Sequence, residues 1–272
     1  LWFGMLMSLS SVALFAVLLP RMQRVASPVN RLLTGLVVAQ NLLVLPLFLI
    51  ITSLSQSPVV PSEVARAALE GVGLIALLLA LGVWVVPRLA TYTHASPDLH
   101  ALLTVASASL LAAGTYEYGL PIALAAFPIG LALSEKGVLR GPLNEILQVR
   151  SLFGVLFFVS AGMLVDPAFV GAHVGQLGLL VLLVAVVKGA LLALLVRVLG
   201  YSPLTALLAG LTLFQIGELS LVLARIGLHG GLFDDDLYSL MVVLSLVTIV
   251  LTPFVLKVGN RFSHRLGIQQ SA

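Results

Sequence analysis

Residues 214–220 read Phe214-Gln215-Ile216-Gly217-Glu218-Leu219-Ser220, and they interrupt an otherwise apolar run that extends from 203 to 227. A glycine costs about 1 kcal/mol in a helix interior, and this one is flanked by an isoleucine and a carboxylate, with an amide two residues back. A continuous lipid-facing helix hosts such a group poorly. A broken helix suits it better, because its two half-helices aim dipole ends and free carbonyls toward a cavity. The plainer alternative is an intact helix in which Glu218 bonds to a neighbour.

Working outward, polar groups stand at the centre of three further apolar runs. Span 1–19 carries Ser8, Ser10 and Ser11, a weaker signal because serines bond back to their own helix easily. Span 31–54 carries Gln40 and Asn41, followed within the helix by Pro46. Proline removes a backbone donor and kinks a helix, which frees carbonyls near two amides that can ligate an ion or bridge helices. Lys188 sits near the middle of span 174–199, too deep to snorkel comfortably. A charge at the bilayer centre costs roughly 2.5–3.5 kcal/mol on insertion scales and defaults to a functional role. Two readings of Lys188 follow: a lysine satisfied by a backbone carbonyl for structural reasons, or a cation that competes with a transported ion for a nearby acidic group.

Composition fixes the class. Of 272 residues, 60% are hydrophobic and 9% charged, and the mean hydropathy is +1.15. That leaves too little polar surface for a soluble globule, and several runs exceed the roughly 18 apolar residues that span a bilayer. The chain reads as a polytopic helical membrane protein. It has no cysteine, which excludes disulfides, thiol catalysis and cysteine-ligated metals. The basic pI near 9.5 reflects short inter-helix loops rather than a nucleic-acid surface.

Nine spans are predicted, at 1–19, 31–54, 64–86, 101–116, 118–134, 149–165, 174–199, 203–227 and 237–258. Turn signals separate them, including Ser27-Pro28, Pro58 to Pro61, Pro87, Ser96-Pro97, Asp166-Pro167, Ser202-Pro203 and Gly230-Gly231. The fourth and fifth spans meet at Tyr116-Glu117-Tyr118 as a tilted hairpin, and 136–148 reads as an interfacial linker. Odd-numbered connections and the tail carry Arg21, Arg24, Arg31, Arg88, Lys136, Arg140, Arg150, Arg197, Lys257, Arg261 and Arg265. The even side carries Arg66 and Arg225 among acidic Glu63, Glu70, Glu117, Asp166 and Asp234 to Asp236. By the positive-inside rule the C-terminus is cytoplasmic and Leu1 lies outside. The first apolar run is not a signal peptide, since Arg21 and Arg24 follow it rather than precede it. A chain that opens on Leu1 inside an apolar stretch is expected to lack its N-terminal part.

The pattern resembles the membrane domain of the second monovalent cation:proton antiporter family, the Kef-type exchangers. Phe214 to Ala224 is similar to the family's Gly-Glu-Phe-Ser-Phe stretch. Leu156 to Met163, Gly141-Pro142-Leu143 and Gly130 to Glu135 support it. Leu9-Ser10-Ser11, then Gln40-Asn41 and Pro46, are similar to the Ser-Ser-Thr and Gln-Asp-x4-Pro signatures. The resemblance implies an all-α polytopic membrane protein, the C-terminal nine helices of a thirteen-helix sodium/proton-exchanger fold with inverted repeats and two crossing broken helices. Residues 1–258 would form the exchanger domain, lacking the first four helices, and 259–272 a short cytoplasmic tail without the nucleotide-binding domain common in Kef-type proteins. Spans 1–19 and 203–227 would be the broken helices, crossing at Ser10, Ser11, Gln215 and Gly217. Gln40, Asn41, Lys188 and Glu218 would bind and move the ion.

The implied function is antiport of potassium or sodium against protons by alternating access. Its partners are the cation, the proton and the lipid bilayer, in a multi-pass protein of the plasma (inner) membrane that is a homodimer at full length. No cofactor and no nucleic acid are implied. Two departures stand out. Asn41 replaces the aspartate that binds cation or proton in turn, and Val12 replaces the threonine of the first break. An amide does not titrate at physiological pH, so the alternative is an exchanger-derived protein without proton coupling, a uniporter or inactive copy, in which Glu218 partners Lys188. An intramembrane enzyme is not expected: all five histidines read as loop or tail residues, and no His-Glu-x-x-His or phosphate-binding loop occurs.

Overall fold

The computed structural model of the chain describes residues 2–18, 27–54, 60–90, 97–115, 126–131 and 143–265, and these residues are helices with a few short non-helical stretches. The helices are α1 (Trp2–Ser8), α2 (Val12–Leu18), α3 (Ser27–Leu54), α4 (Pro61–Ala90) and α5 (Pro97–Gly114). A short helical turn, α6, covers 126–131. Then follow α7 (Leu143–Met163), α8 (Pro167–Val198), α9 (Pro203–Leu213), α10 (Glu218–His229) and α11 (Asp235–Arg265). Among the described residues four helices, α3, α4, α8 and α11, are long and apolar enough to cross a membrane, and α9 with α10 forms a fifth candidate bent by 46°. The chain is therefore an integral, multi-pass membrane protein.

Pro61, Pro97, Pro167 and Pro203, which read as turn signals, sit at helix starts, where the missing N–H costs nothing. Asp166 caps α8 by accepting the Ala168 N–H at 2.8 Å, with Pro167 as the first helical residue. Ser202 caps α9 in the same way, accepting the Thr205 N–H at 3.2 Å ahead of Pro203. Both helix-ending glycines with positive φ complete paired turn bonds. Gly200 (φ 88) donates to the Arg197 carbonyl while Tyr201 donates to that of Val196, and Gly231 (φ 66) with Leu232 repeats the pattern on Leu228 and Gly227.

Several boundaries differ from the sequence reading. Helix α8 begins at Pro167 rather than 174, and the predicted start falls just after its kink at His173 (φ −115, ψ 17). Helix α7 begins at Leu143, inside the stretch read as a linker, because Leu143-Asn144-Glu145-Ile146-Leu147 after Pro142 propagates a helix. Helix α4 runs through Pro87 to Ala90, and α11 continues past 258 to Arg265. His100, His173, His229 and His264 lie on helices, not in loops or a tail. The hairpin at Tyr116 to Tyr118 and most of span 118–134 lie outside the described residues.

The chain divides into two compact units, residues 1–40 with 159–272, and residues 41–158. In the second unit α4 packs on α5, and Gly71 of α4 sits where a Cβ would lie 2.5 Å from the Cα of Pro46. The first unit has a buried apolar core: Phe15 of α2, Val29, Leu33 and Val37 of α3, Leu192 and Val196 of α8, Ala206, Ala209 and Leu213 of α9, and Leu256 of α11. Every polar break singled out in the sequence except Asn41 belongs to this unit.

Candidate functional site: a crossing of two broken helices

Both predicted breaks are present. The first leaves Leu9, Ser10 and Ser11 outside the helices α1 and α2, and the second leaves Phe214 to Gly217 between α9 and α10. They meet in the first unit. The Gly217 N–H donates to the Leu9 carbonyl at 3.0 Å, and Ser10 Oγ donates to the Leu213 carbonyl at 2.7 Å. The approach is close enough that a Cβ on Gly217 would lie 2.7 Å from the carbonyl carbon and oxygen of Ser10 and 2.9 Å from the Ser11 nitrogen. Glycine is needed for space rather than conformation, since Gly217 is extended at φ −83 and ψ 167.

Four half-helix ends thus converge, and each leaves backbone groups without helical partners. Lys188 serves the two C-terminal ends. Its Nζ donates to the Leu9 carbonyl and to the Gln215 carbonyl, each at 2.7 Å. Charge-assisted hydrogen bonds of this kind contribute about 1.5–3 kcal/mol each. The N-terminal ends are served differently. Ser11 caps α2 by accepting the Leu14 N–H at 3.0 Å, and Glu218 Oε1 accepts the Ala13 N–H at 3.1 Å while itself standing in the first turn of α10. Lys188 and Glu218 do not form an ion pair. The pairing expected between them gives way to a division of labour, and Lys188 takes backbone carbonyls, as the structural reading of it foresaw.

Lys188 reaches the crossing because α8 and α9 pack through small residues. A Cβ on Gly210 would collide with the Gly189 carbonyl oxygen, and one on Gly189 would stand 3.5 Å from the Gly210 carbonyl oxygen. Close backbone approach through glycines is the usual way that membrane helices associate. Beside the crossing lies a cavity of about 350 Å³, bounded by Phe3, Gly4, Met7 and Ser8 of α1, Gln40 of α3, and Val184, Lys188 and neighbouring aliphatics of α8. Gln40 therefore shares a wall with Lys188. Asn41 is buried and belongs to the second unit.

Two contributors were not singled out from the sequence as ligands of the crossing. Ser220 Oγ donates to the Leu6 carbonyl at 2.6 Å, tying α10 to α1. Thr248 of α11 accepts the Ile216 N–H at 3.1 Å through Oγ1. Ser245, Thr248 and Thr252 are all fully buried, and their spacing on one face of an apolar helix was a legible signal. Gly189 and Gly210 carried no signal, since a glycine in an apolar run shows nothing of what approaches it.

The profile of the family described as "Sodium/hydrogen exchanger, transmembrane" matches residues 1–258. The chain is 30% identical over 272 residues to K(+) efflux antiporter 4 of Arabidopsis thaliana, covering 97% of this chain and 46% of that protein. It is 29% identical over 265 residues to the putative cation/proton antiporter YbaL of Escherichia coli, covering 92% and 47%. It is also 28% identical over 268 residues to the iron transporter MagA of Paramagnetospirillum magneticum, covering 97% and 61%. The chain spans about half the length of the first two of these relatives. With the crossing seen above and a match along nearly its whole length, the chain belongs to the transmembrane sodium/hydrogen exchanger family, as a membrane domain of the Kef-type cation:proton antiporters.

Proposed function

We propose that the chain acts as the ion-translocating domain of a monovalent cation:proton antiporter, exchanging potassium or sodium for protons by alternating access. The observation that carries this reading is the Lys188 ammonium seated on the Leu9 and Gln215 carbonyls, one from each broken helix. Such a crossing is built to hold one positive charge at membrane depth. A transported cation takes the same carbonyls when Lys188 leaves or loses its proton, and Gln40 and Glu218 of the same unit complete the group that binds and moves it. The relatives named as potassium efflux and cation/proton antiporters favour the same class. In this reading the nine predicted spans are the last nine of thirteen helices, the C-terminus is cytoplasmic, and the full-length protein is a homodimer of the plasma membrane.

Asn41 favours a second reading, an exchanger-derived pathway without proton coupling, since the amide cannot carry the proton that the family's aspartate carries. One assay separates the two. Proteoliposomes of the complete protein are given a potassium or sodium gradient, and internal pH is followed. Antiport gives cation-dependent proton movement, which Asn41→Asp increases. Cation leak without a pH change, in both proteins, rejects coupled exchange.

A further inference from the structure

An ammonium has three N–H groups, and Lys188 uses two. Its Nζ donates to the Leu9 and Gln215 carbonyls, and the third N–H has no acceptor among the described residues. No carboxylate among them pairs with the charge either, since Glu218 is taken up by the Ala13 N–H. Lys188 also lines the cavity of about 350 Å³ between α1 and α8, and so does Gln40. Every wall of that cavity belongs to the first unit. The other hydroxyl on its wall, that of Ser8, is occupied by the Met5 carbonyl at 2.7 Å. The remaining lining is apolar, so one ammonium and one amide are the polar groups left for a ligand.

A mostly apolar cleft with a few placed polar groups is the usual form of a small-molecule site. The α8 wall runs from Leu180 to Leu195, about 22 Å along the helix, with Lys188 near its middle. Leu183, Val187, Leu191 and Leu195 on that wall are roughly half exposed. An aliphatic chain covers them, but a plain hydrocarbon leaves the ammonium unanswered. Charge complementarity selects an anionic head, and a carboxylate has two oxygens, one for the third N–H of Lys188 and one for the Gln40 amide. A carboxylic acid also reaches this depth as the neutral acid and gives its proton to an unprotonated Lys188, whereas a phosphate or sulfonate must bring its charge through lipid. From Lys188 to either end of the wall is about 10–12 Å, which sets a medium chain length. We propose that the cavity binds a lipophilic carboxylate of medium chain length, its head on Lys188 and Gln40 and its chain along α8. The bound anion holds Lys188 as an ammonium on the two carbonyls and so inhibits exchange. That consequence rests on the antiport reading, whereas the binding is measurable without it.

The test uses the complete protein in phospholipid vesicles, labelled with a photoactivatable diazirine analogue of decanoic acid and mapped by mass spectrometry. Label is expected on the facing stretches of α1 and α8. Decanoate should displace it about tenfold more effectively than methyl decanoate, the factor that one charge-assisted hydrogen bond supplies, with decanol between them. Lys188→Gln should erase the advantage of the acid over the ester, and Gln40→Leu, which decides if that variant does not fold, should reduce it. Gly4→Leu fills the cleft: an added Cβ on Gly4 meets nothing within 4 Å, so the variant should fold and lose the label. Cation tracer exchange at clamped pH should be inhibited by decanoate in the wild type and not in Gly4→Leu. Equal displacement by acid, alcohol and ester means that bilayer tails fill the cleft, which overturns the proposal. So does label absent from α1 and α8, which means that another segment of the complete protein covers it. Label as expected with exchange unaffected by decanoate keeps the site and rejects the inhibition. Label as expected in a protein that exchanges no cation keeps the site and rejects the antiporter.

Discussion

Lys188 and Glu218 serve opposite poles of one crossing and do not touch. The ammonium lies on the Leu9 and Gln215 carbonyls, where α1 and α9 end, and the carboxylate takes the Ala13 N–H, where α2 begins. A helix carries roughly half a positive charge at its N-terminus and half a negative charge at its C-terminus. Four half-helices crossing at their breaks therefore make one negative and one positive pole, and each side chain stands at the pole of opposite sign. Direct pairing would leave both poles uncompensated in a low-dielectric setting. The arrangement explains how a lone lysine and a lone carboxylate persist in an apolar domain without an ion pair.

Replacing Lys188 tests the negative pole. Lys188→Met takes the donor from the Gln215 carbonyl, at a cost of about 1–3 kcal/mol, and leaves the Leu9 carbonyl with the Gly217 N–H alone, so the thermal midpoint in detergent should fall clearly and antiport should vanish. Lys188→Gln keeps a donor for one carbonyl and should lose less stability. Because an amide does not titrate, any exchange that survives in Lys188→Gln should show a flattened pH dependence. An unchanged pH profile in that variant would remove Lys188 from proton coupling.

At the positive pole the order of variants is the informative quantity. Glu218→Gln retains an acceptor for the Ala13 N–H and loses only the charge at two helix N-termini, an effect of about 0.3–1 kcal/mol. Glu218→Ala loses the acceptor as well and should be the less stable of the two by thermal unfolding. Equal stabilities would show that the hydrogen bond to α2 contributes nothing.

Much of this site was legible in the sequence, for a simple physical reason. Polar residues in apolar runs are expensive, so Ser10, Ser11, Lys188, Gln215 and Glu218 announced themselves, and glycine between Gln215 and Glu218 marked the break. Their partners were not legible because most are backbone groups. The carbonyls of Leu9, Leu213 and Gln215 and the N–H of Ala13 have no sequence signature, so a charge-to-charge pairing was the natural guess. Helix starts were misread for a related reason. Proline at Pro167 breaks a helix only from the inside, and an Asp166 cap turns the same residue into a beginning.

The glycine contact between α8 and α9 is asymmetric and gives an asymmetric prediction. An added methyl on Gly210 meets the Gly189 carbonyl oxygen at a forbidden distance, whereas one on Gly189 has ordinary contact at 3.5 Å. Gly210→Ala should force the helices apart, withdraw Lys188 from the crossing, and reduce both stability and antiport; overpacking of this kind costs about 1–3 kcal/mol. Gly189→Ala should leave both near wild type. Thermal unfolding and flux on the two variants side by side decide it, and similar losses in both would mean that the packing is not set by this contact.

Gly217 is the sharpest case, because the obstruction is backbone and cannot rotate away. Gly217→Ala places a methyl against Ser10 and the Ser11 nitrogen, and it should break the Gly217 N–H bond to the Leu9 carbonyl. No conformational strain is added, since φ at −83 suits any residue, so the loss measures the crossing itself. Truncating Ser10 should not rescue the variant, as the clash lies with the Ser10 carbonyl rather than its hydroxyl. Gly73→Ala is the control: nothing lies within 4 Å of its added methyl, and a helical Gly→Ala change there should stabilise by about 0.5–1 kcal/mol. Antiport abolished in Gly217→Ala and preserved in Gly73→Ala, measured on protein with matched membrane insertion, ties transport to the contact between the two breaks. Retained antiport in Gly217→Ala would mean that the breaks need not touch for the ion to pass.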